Sequence, residues 1–238
     1  MILGIIPARF QSTRLPGKPL AMIGDQTMIQ MVYKQCLKAS LLDKVIVATD
    51  DERIAESIHE ISGEVVITSK DHATGTDRCI EVALNHPAHF YVNIQGDEPF
   101  IPEEDINSVS KALMEGAEIS TLKKEIEDLQ EINNPSCVKV VCDQNHDAMY
   151  FSRSAIPFSK GGTPTYYKHK GIYGFRKEAL KTIANLKPSS LELAESLEQL
   201  RWLENGLKIK VLESAHESIS VDTEEDLQLA RKLIDGKN

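Results

Sequence analysis

The chain opens with an apolar run, Met1-Ile-Leu-Gly-Ile-Ile6, and continues as Pro7-Ala-Arg-Phe-Gln-Ser-Thr-Arg-Leu-Pro-Gly-Lys-Pro-Leu20. The apolar run predicts a buried strand, and the prolines and glycine after it predict a stiff loop. Open α/β sheets bind their ligands at the carboxyl ends of the strands, where this loop would lie. The loop carries three permanent cations, Arg9, Arg14 and Lys18.

Three cations on one loop suit a triphosphate, because arginine meets phosphate as a planar fork and lysine as a point charge. The segment contains neither of the common nucleotide-binding signatures, G-x-x-x-x-G-K-[ST] and G-x-G-x-x-G. A solvated basic loop without a ligand is the alternative interpretation, and the segment alone leaves it open.

The bulk composition narrows the class of protein. The 238 residues fit one large domain, or one domain with a small appendage, and 41% hydrophobic with 26% charged residues is typical of a soluble globular chain. A formal net charge of -9 argues against nucleic acid or an anionic membrane as the main partner. No stretch reaches the roughly 18 apolar residues of a membrane span, and the cysteines form no C-x-x-C pair. We expect a reduced, cytoplasmic protein.

Strand and helix patterns alternate through the first half of the chain. Strand-like runs at 45–49, 64–68 and 90–94 are separated by helical patterns that start near residues 28, 52, 76 and 102. This alternation predicts βαβ units and a mostly parallel sheet. Shorter strands are predicted after about residue 117, including 218–221, together with a helix over 191–205 and a last helix over 223–234. No linker separates two domains.

Two aspartates follow predicted strands far apart in the chain. Asp97 lies in Asn93-Ile-Gln-Gly-Asp-Glu-Pro-Phe100, and Asp222 lies in Ile219-Ser-Val-Asp-Thr-Glu-Glu-Asp226. A carboxylate at a strand's carboxyl end suits Mg²⁺, which takes one or two carboxylates plus phosphate oxygens and water. An ordinary turn at Asp97 and a helix cap at Asp222 are the alternatives. Only if the two side chains meet do they form a metal site.

Other polar segments are less specific. The loop Ser69-Lys-Asp-His-Ala-Thr-Gly-Thr-Asp-Arg78 offers backbone donors for a base or ribose, but it could equally be a capped turn. Arg153 lies between apolar neighbours and suits a substrate carboxylate or a structural acid. His169, Tyr173, Glu198 and Gln199 are, by spacing alone, as compatible with surface or core positions as with ligand contacts.

These segments, taken in order, resemble the cytidylyltransferases that activate acidic sugars, and most closely those acting on 3-deoxy-manno-octulosonate (Kdo). The resemblance spans essentially the whole chain. It is carried by Ile5–Leu20, Val47–Asp50, Thr74–Arg78, Asn93–Pro99, Asn134–Val141, Tyr150–Pro157, His169–Phe175, Ser196–Arg201 and Val221–Leu227.

The resemblance implies a Rossmann-like three-layer α/β fold with a small dimerisation and substrate subdomain. A single domain, 1–238, would bind CTP mainly through 1–120, with sugar-binding and dimerisation elements in about 130–205. It also implies transfer of CMP from CTP to Kdo by a cytoplasmic homodimer, as a step of lipopolysaccharide synthesis. The region around 140–175 would supply much of the dimer interface.

The resemblance also assigns roles to individual residues. Asp97 and Asp222 would share one Mg²⁺ with the sugar acid, a second Mg²⁺ would lie on the phosphates, and Lys18 would join the aspartates in catalysis. The nucleotide would meet Pro7, Ala8, Arg9, Arg14, Lys18, Thr74, Gly75, Thr76, Arg78 and Gln95. The sugar would meet Gln95, Arg153, His169, Tyr173, Glu198 and Gln199.

The chain departs from the family pattern at Asp77, Phe158 and Ser190, where Glu, Trp and Pro are more frequent, and the segment 159–167 is short. The short segment 159–167 bears on the geometry of the loop over the sugar and leaves the reaction unaffected. The alternatives are a cytidylyltransferase for 8-amino-Kdo or a sialic acid, a sugar-1-phosphate or polyol-phosphate nucleotidyltransferase, and a catalytically inactive nucleotide-binding or regulatory relative.

Overall fold

A central sheet organises the molecule, which we describe from a computed structural model covering residues 1–12, 14–162, 164–217 and 219–236. Seven of its strands form a continuous path in the order β11-β7-β10-β6-β1-β4-β5. Their bounds are β1 Ile2–Ala8, β4 Lys44–Thr49, β5 Val65–Ile67, β6 Phe90–Asn93, β7 Ile119–Glu125, β10 Tyr167–Arg176 and β11 Ile209–Glu213. Only β10 runs antiparallel to its neighbours on this path. The predicted mostly parallel sheet is confirmed.

Strand β1 is buried on both faces, as its continuous apolar sequence predicts. Leu3 and Ile5 belong to one core with helices α3, Gly75–Asn85, and α6, Lys177–Ile183. Ile2 and Ile6 point to the opposite core, shared with helices on the other face. Helices therefore cover both faces of the sheet, which gives the expected three layers.

Helices on that second face start where their sequences supply a cap. They are α1 Met28–Cys36, α2 Glu52–His59 and α4 Glu103–Met114. The Thr27 side chain accepts from Gln30 N and the Gln30 side chain accepts from Thr27 N, which satisfies two otherwise unpaired donors. Asp51 caps α2 in a similar way by accepting from Arg53 N.

Smaller elements complete the chain. A short 3₁₀ turn, Lys18–Leu20, follows the basic loop and precedes the two-residue strands β2, Met22–Ile23, and β3, Gln26–Thr27. Strands β8, Lys139–Cys142, and β9, Ala148–Ser152, pair as an antiparallel hairpin beside β10. The remaining helices are α5 Leu129–Ile132, α7 Ser190–Glu195, α8 Glu198–Glu204 and α9 Glu224–Asp235.

Two predicted elements are wrong. The single helix over 191–205 is two helices, α7 and α8, broken at Ser196, whose φ of 52° lies in the left-handed region. Residues 219–221 form no strand, and Ser218 lies outside the described residues. Val221 is instead buried in a small core with Leu15 and Leu227, so its apolar character serves packing between loops.

None of the helices in the described part of the chain is long and apolar enough to cross a membrane. The thiols of Cys36 and Cys79 are buried, those of Cys137 and Cys142 are half-buried, and all four are free.

Candidate active site

Three loops meet at the carboxyl end of β1. A Cβ on Gly96 would lie 2.9 Å from the Pro7 carbonyl oxygen, and one on Gly75 would lie 3.1 Å from Pro7 Cγ. Larger side chains at these two glycines would push the loops apart. The loop after β6 and the start of α3 are therefore held directly against the end of β1.

A cleft of about 370 Å³ opens where these loops meet, a size suited to a small-molecule ligand. Basic, acidic and small residues share its walls. They are Pro7, Ala8, Arg9, Ser12, Arg14, Lys18, Pro19, His72, Ala73, Thr74, Gly75, Arg78, Gln95, Gly96, Asp97 and Asp222. Every residue predicted to meet the nucleotide lies in this lining except Thr76, which is buried behind it.

The two aspartates meet across one ammonium group. Lys18 Nζ donates to Asp97 Oδ2 at 2.6 Å and to Asp222 Oδ1 at 2.9 Å. Arg14 Nη2 lies 3.0 Å from the same Asp222 oxygen, and its side chain is 64% exposed. Two carboxylates from distant parts of the chain and two cations from the basic loop thus form one cluster at the cleft.

Backbone contacts place this cluster. Val221 N donates to the Asp97 carbonyl oxygen at 2.9 Å, which joins the two acidic loops. Asp222 N and Thr223 N both donate to Asp226 Oδ2, and Thr223 caps α9. Because Thr223 performs the capping, the Asp222 carboxylate is left to face the cleft.

The basic loop is closed by its own residues. Gly17 N donates to the Phe10 carbonyl oxygen, and Gly17 has a φ of 68° that favours glycine. The Phe10 ring lies against Gly17 on one side and beneath the Arg53 guanidinium, 3.4 Å from the ring centroid. Lys18 is the next residue after Gly17, and the closed loop directs its side chain toward Asp97 and Asp222.

Burial and charge act in opposite directions on Lys18. Burial favours the neutral amine, but the hydrogen bonds and charges of Asp97 and Asp222 outweigh it and raise the pKa of Lys18 above its usual value. The lysine is therefore a firmly charged counter-ion to the two aspartates.

The same pair of aspartates fits a divalent ion in its donor chemistry, because the pair already holds a cation between two carboxylate oxygens. Among the described residues, no group of three or more His, Cys, Asp or Glu side chains could form a complete ligand set. An ion here would take its other ligands from substrate oxygens and water, as Mg²⁺ does in phosphate-binding sites.

The loop before α3 forms a second wall of the cleft. Thr74 and Asp77 form a reciprocal cap at the helix start, as the capped-turn alternative predicts. Arg78 lines the cleft, but its guanidinium donates to Asp50 Oδ2, Thr68 Oγ1 and the Ser69 carbonyl oxygen. It joins the ends of β4 and β5, so its contribution to a nucleotide site is to position the loop.

The side chains predicted to contact the sugar lie mainly on β10 and at the start of α8. His169 and Tyr173 lie on β10, with ring centroids 5.2 Å apart, and Glu198 and Gln199 begin α8. Thr76 Oγ1 donates to Glu198 Oε2 at 2.8 Å, which connects α8 to the loop at the cleft. Burial raises the pKa of Glu198, and burial together with the Glu198 charge raises that of Tyr173.

Gln95 links the cleft to this group, because it lines the cleft and its Nε2 donates to the Gly171 carbonyl oxygen at 3.0 Å.

Among the described residues, the Arg153 guanidinium binds backbone oxygens and not the carboxylate that the sequence led us to expect. It donates to the carbonyl oxygens of Pro135, Glu195 and Ser196. The structure uses it to join three segments, and contact with a substrate carboxylate stays a prediction.

Five lining residues were not predicted to bind: Ser12, Pro19, His72, Ala73 and Gly96. Ser12 and Pro19 lie within the basic loop, so its full length could have been assigned. His72 approaches Glu81 closely through Nε2, and Glu81 Oε2 also accepts from Ser69 N. His72 and Ala73 belong to the loop 69–78, for which the sequence indicated only backbone donors. Nothing in the sequence singled out the His72 side chain, because its partner Glu81 lies in the middle of α3.

Comparisons with known proteins agree with this geometry. A family model described as cytidylyltransferase matches residues 3–209. The 3-deoxy-manno-octulosonate cytidylyltransferase of Bacteroides thetaiotaomicron is 50% identical over 250 residues, covering 99% of each chain. Its namesake from Fusobacterium nucleatum is 49% identical and covers 99% of this chain and 98% of its own.

The fold is also similar to that of a solved structure with the same activity in its name. The structure of CMP:2-keto-3-deoxy-manno-octonic acid synthetase complexed with CTP superposes with a TM-score of 0.96 and 39% identity, covering 100% of this chain and 99% of its own. A thymidylyltransferase structure from Bacillus anthracis, 18% identical with a TM-score of 0.67, shares the fold. Full-length identity near one half, on a fold whose basic and acidic loops converge at one cleft, makes this chain a member of the cytidylyltransferase family.

Proposed function

We propose that the protein transfers the cytidylyl group of CTP to the anomeric hydroxyl of Kdo, giving CMP-Kdo and pyrophosphate. The observation that carries the proposal is the meeting of Asp97 and Asp222 on the ammonium of Lys18, beside a loop rich in cations. The relatives named for this activity, near 50% identity over their full length, support the choice of substrates.

In this reaction the anomeric oxygen forms a bond to the α-phosphorus, and the bond from that phosphorus to the bridging oxygen of pyrophosphate breaks. The hydroxyl proton passes to solvent. Arg9, Arg14 and Lys18 line the cleft and would offset charge that builds up on the leaving pyrophosphate. The protein acts by positioning and charge neutralisation, without a covalent intermediate.

Asp97 and Asp222 would hold Mg²⁺, which when bound supplies charge neutralisation for the phosphates and the sugar carboxylate. A second ion on the phosphates would be carried by the nucleotide itself. Lys18 would then turn from the aspartates toward the phosphates, since its flexible four-carbon stem allows this movement.

The sugar would enter from the side of β10 and α8. Gln95 lines the nucleotide cleft and donates to Gly171, which lies between His169 and Tyr173 on β10, so it can contact both substrates. The Tyr173 hydroxyl is buried beside Thr121 and makes no hydrogen bond of good geometry among the described residues, and a sugar hydroxyl would satisfy it.

The proposal is tested by pyrophosphate release with CTP and Mg²⁺ against a panel of acceptors: Kdo, 8-amino-Kdo, a sialic acid and hexose 1-phosphates. Release that depends on Kdo is the expected result. Turnover with 8-amino-Kdo or sialic acid alone would change the acceptor but not the reaction. Turnover only with hexose 1-phosphates, or with none of the acceptors, would refute the proposal.

The proposed active form is a homodimer formed through the region 140–175. Two large apolar side chains there are exposed, Met149 at 64% and Phe158 at 87%, and burial in an interface would remove them from water. Light scattering after size exclusion should give twice the chain mass. Met149→Glu with Phe158→Glu should give the monomer mass, and a wild-type monomer would contradict this part.

A further inference from the structure

Strand β10 carries a bulge beside the cleft. Lys170 pairs with Leu122 of β7 and Tyr173 pairs with the adjacent Thr121, so Gly171 and Ile172 have no partners in this register. Bulges re-aim neighbouring side chains and are frequent next to active sites. The residues on either side of this bulge include His169 and Tyr173, both predicted to meet the sugar.

Two side chains satisfy the carbonyl groups of the bulge. Gln95 Nε2 donates to the Gly171 oxygen. Thr121 Oγ1 lies 2.7 Å from the Ile172 oxygen and 3.2 Å from the Lys170 oxygen. Thr121 is 0% exposed, so water cannot replace its hydroxyl group. The conformation of the bulge therefore depends on Thr121.

The same hydroxyl lies 3.0 Å from His169 Nε2, so the proton on that nitrogen can be inferred from where the Thr121 hydroxyl donates. A hydroxyl has one proton to donate. A separation of 2.7 Å from the Ile172 carbonyl is the length of an O–H···O hydrogen bond, so the proton lies there. Thr121 Oγ1 must then accept from His169, whose Nε2 carries a hydrogen.

The surroundings of His169 keep its ring neutral. Burial lowers the pKa of His169 to about 3. Phe151 meets the ring edge-on, with centroids 5.1 Å apart, and Tyr173 lies against it on another side. In the described part of the chain, Thr121 is the sole hydrogen-bond partner of the imidazole. With Nε2 protonated, Nδ1 is left as an acceptor.

We propose that Thr121 is a positioning residue that holds His169 in its neutral Nε2–H tautomer, so that Nδ1 receives a hydroxyl group of the sugar acid. The sugar contact rests on the proposed function, whereas the tautomer does not. A neutral acceptor nitrogen selects a hydroxyl donor and repels a carboxylate, whose oxygens also only accept. His169 would thus bind a hydroxyl group of the sugar acid, and the sugar carboxylate would bind to other residues.

The tautomer is measured in the ligand-free protein by long-range proton–nitrogen NMR of the imidazole rings, with His169 assigned by its loss in His169→Gln. The wild type and Thr121→Ser should both show protonated Nε2. Thr121→Val, which has the same shape without the hydroxyl, should lose this preference. Protonated Nδ1 in the wild type, or an unchanged tautomer in Thr121→Val, would overturn the assignment. If Thr121→Val does not fold, the wild-type and Thr121→Ser spectra still show whether Nε2 or Nδ1 of His169 carries the proton.

Steady-state kinetics test the link to the sugar. Thr121→Val should raise KM for Kdo by about tenfold, the scale of one lost buried hydrogen bond, with KM for CTP unchanged. Thr121→Ser should restore the wild-type value, and Thr182→Val, at an exposed hydroxyl on α6, should leave it unchanged. Equal rises in KM for both substrates would overturn the sugar contact. Absence of Kdo turnover in the wild type would instead refute the proposed function and leave the NMR result standing.

Discussion

At the scale of single residues, the cleft depends on the charge balance among Lys18, Arg14 and the two aspartates. In the ligand-free protein each carboxylate has a cation within 3.0 Å, so the cluster is close to neutral. A polyphosphate would compete for both cations and leave the carboxylates facing each other. A divalent ion between the carboxylates would restore the balance, and nucleotide binding would then favour binding of the proposed metal.

Asp97→Asn keeps the shape of the side chain and removes its charge. We expect turnover to fall by about three orders of magnitude, equivalent to about 4 kcal/mol of transition-state stabilisation. Pyrophosphate release at saturating substrates measures the effect. Asp25→Asn, at an exposed turn, is the matched control, and near-normal turnover in Asp97→Asn would refute the assignment of Asp97.

Lys18→Gln removes the ammonium that lies between the aspartates. We expect the CTP-free variant to bind Mn²⁺ about tenfold more tightly than the wild type, because the ion no longer competes with an internal cation. Electron paramagnetic resonance of free Mn²⁺ measures the affinity. Lys34→Gln, on the exposed side of α1, should bind Mn²⁺ as the wild type does. Weaker binding in Lys18→Gln would contradict the expectation.

At the scale of secondary-structure elements, the break between α7 and α8 decides where Glu198 lies. Glu195, the last residue of α7, accepts from Ser152 Oγ at 2.6 Å and from Arg153 N at 3.0 Å. These bonds fasten the end of α7 to β9. The chain then turns at Ser196, and α8 starts in a new direction that brings Glu198 to Thr76.

Glu195→Ala should destabilise the fold by about 1–3 kcal/mol at neutral pH, because two hydrogen bonds to a carboxylate are lost. Burial opposes ionisation of Glu195, but the bonds from Ser152 and Arg153 outweigh it and hold its pKa below the ordinary 4.5. A lowered folded-state pKa means that this stabilisation is complete above about pH 4.5 and disappears as the pH falls through the folded value.

Urea denaturation at pH 7 and at pH 4 measures this effect. The difference between wild type and Glu195→Ala should be larger at pH 7. Glu56→Ala, at an exposed position of α2, should change stability little at either pH. A difference that grows on acidification would show that the Glu195 carboxylate does not act as described.

At the scale of the whole molecule, the two ends of the chain pack against each other beneath the cleft. A small core joins Leu15 and Met28 from the first part of the chain to Val221, Leu227 and Ala230 from the last. Leu15 belongs to the basic loop, and Val221 precedes Asp222. The relative position of the cations and the second carboxylate is therefore set by apolar packing.

Leu227→Ala should destabilise the protein by about 2–5 kcal/mol and also raise KM for CTP, because the small core supports both sides of the cleft. Leu180→Ala, equally buried on α6 in another core, is the matched control. It should destabilise by a similar amount without raising KM for CTP. Thermal denaturation measures stability, and steady-state kinetics well below the unfolding midpoints of both variants measure KM for CTP. The same KM for CTP in Leu227→Ala and Leu180→Ala would contradict a role of the small core in supporting the cleft.

Local sequence was sufficient to predict the elements whose stabilising contacts are local. The caps at Thr27, Thr74 and Thr223 each join residues three positions apart, so their helices begin where predicted. The helix over 191–205 failed for the opposite reason. Its break is stabilised by Ser152 and Arg153, which are remote in sequence. The helical periodicity around Ser196 therefore does not show the break.

The same distinction holds for the site. Local residues are enough to predict that an apolar first strand leads into a stiff loop with Arg9, Arg14 and Lys18, because prolines, a glycine and permanent charges act within one short segment. The meeting of Asp97 and Asp222 on Lys18, and the contact of Thr121 with His169, could be seen only in three dimensions. These contacts join segments that become neighbours through sheet order and apolar packing, which no local pattern encodes.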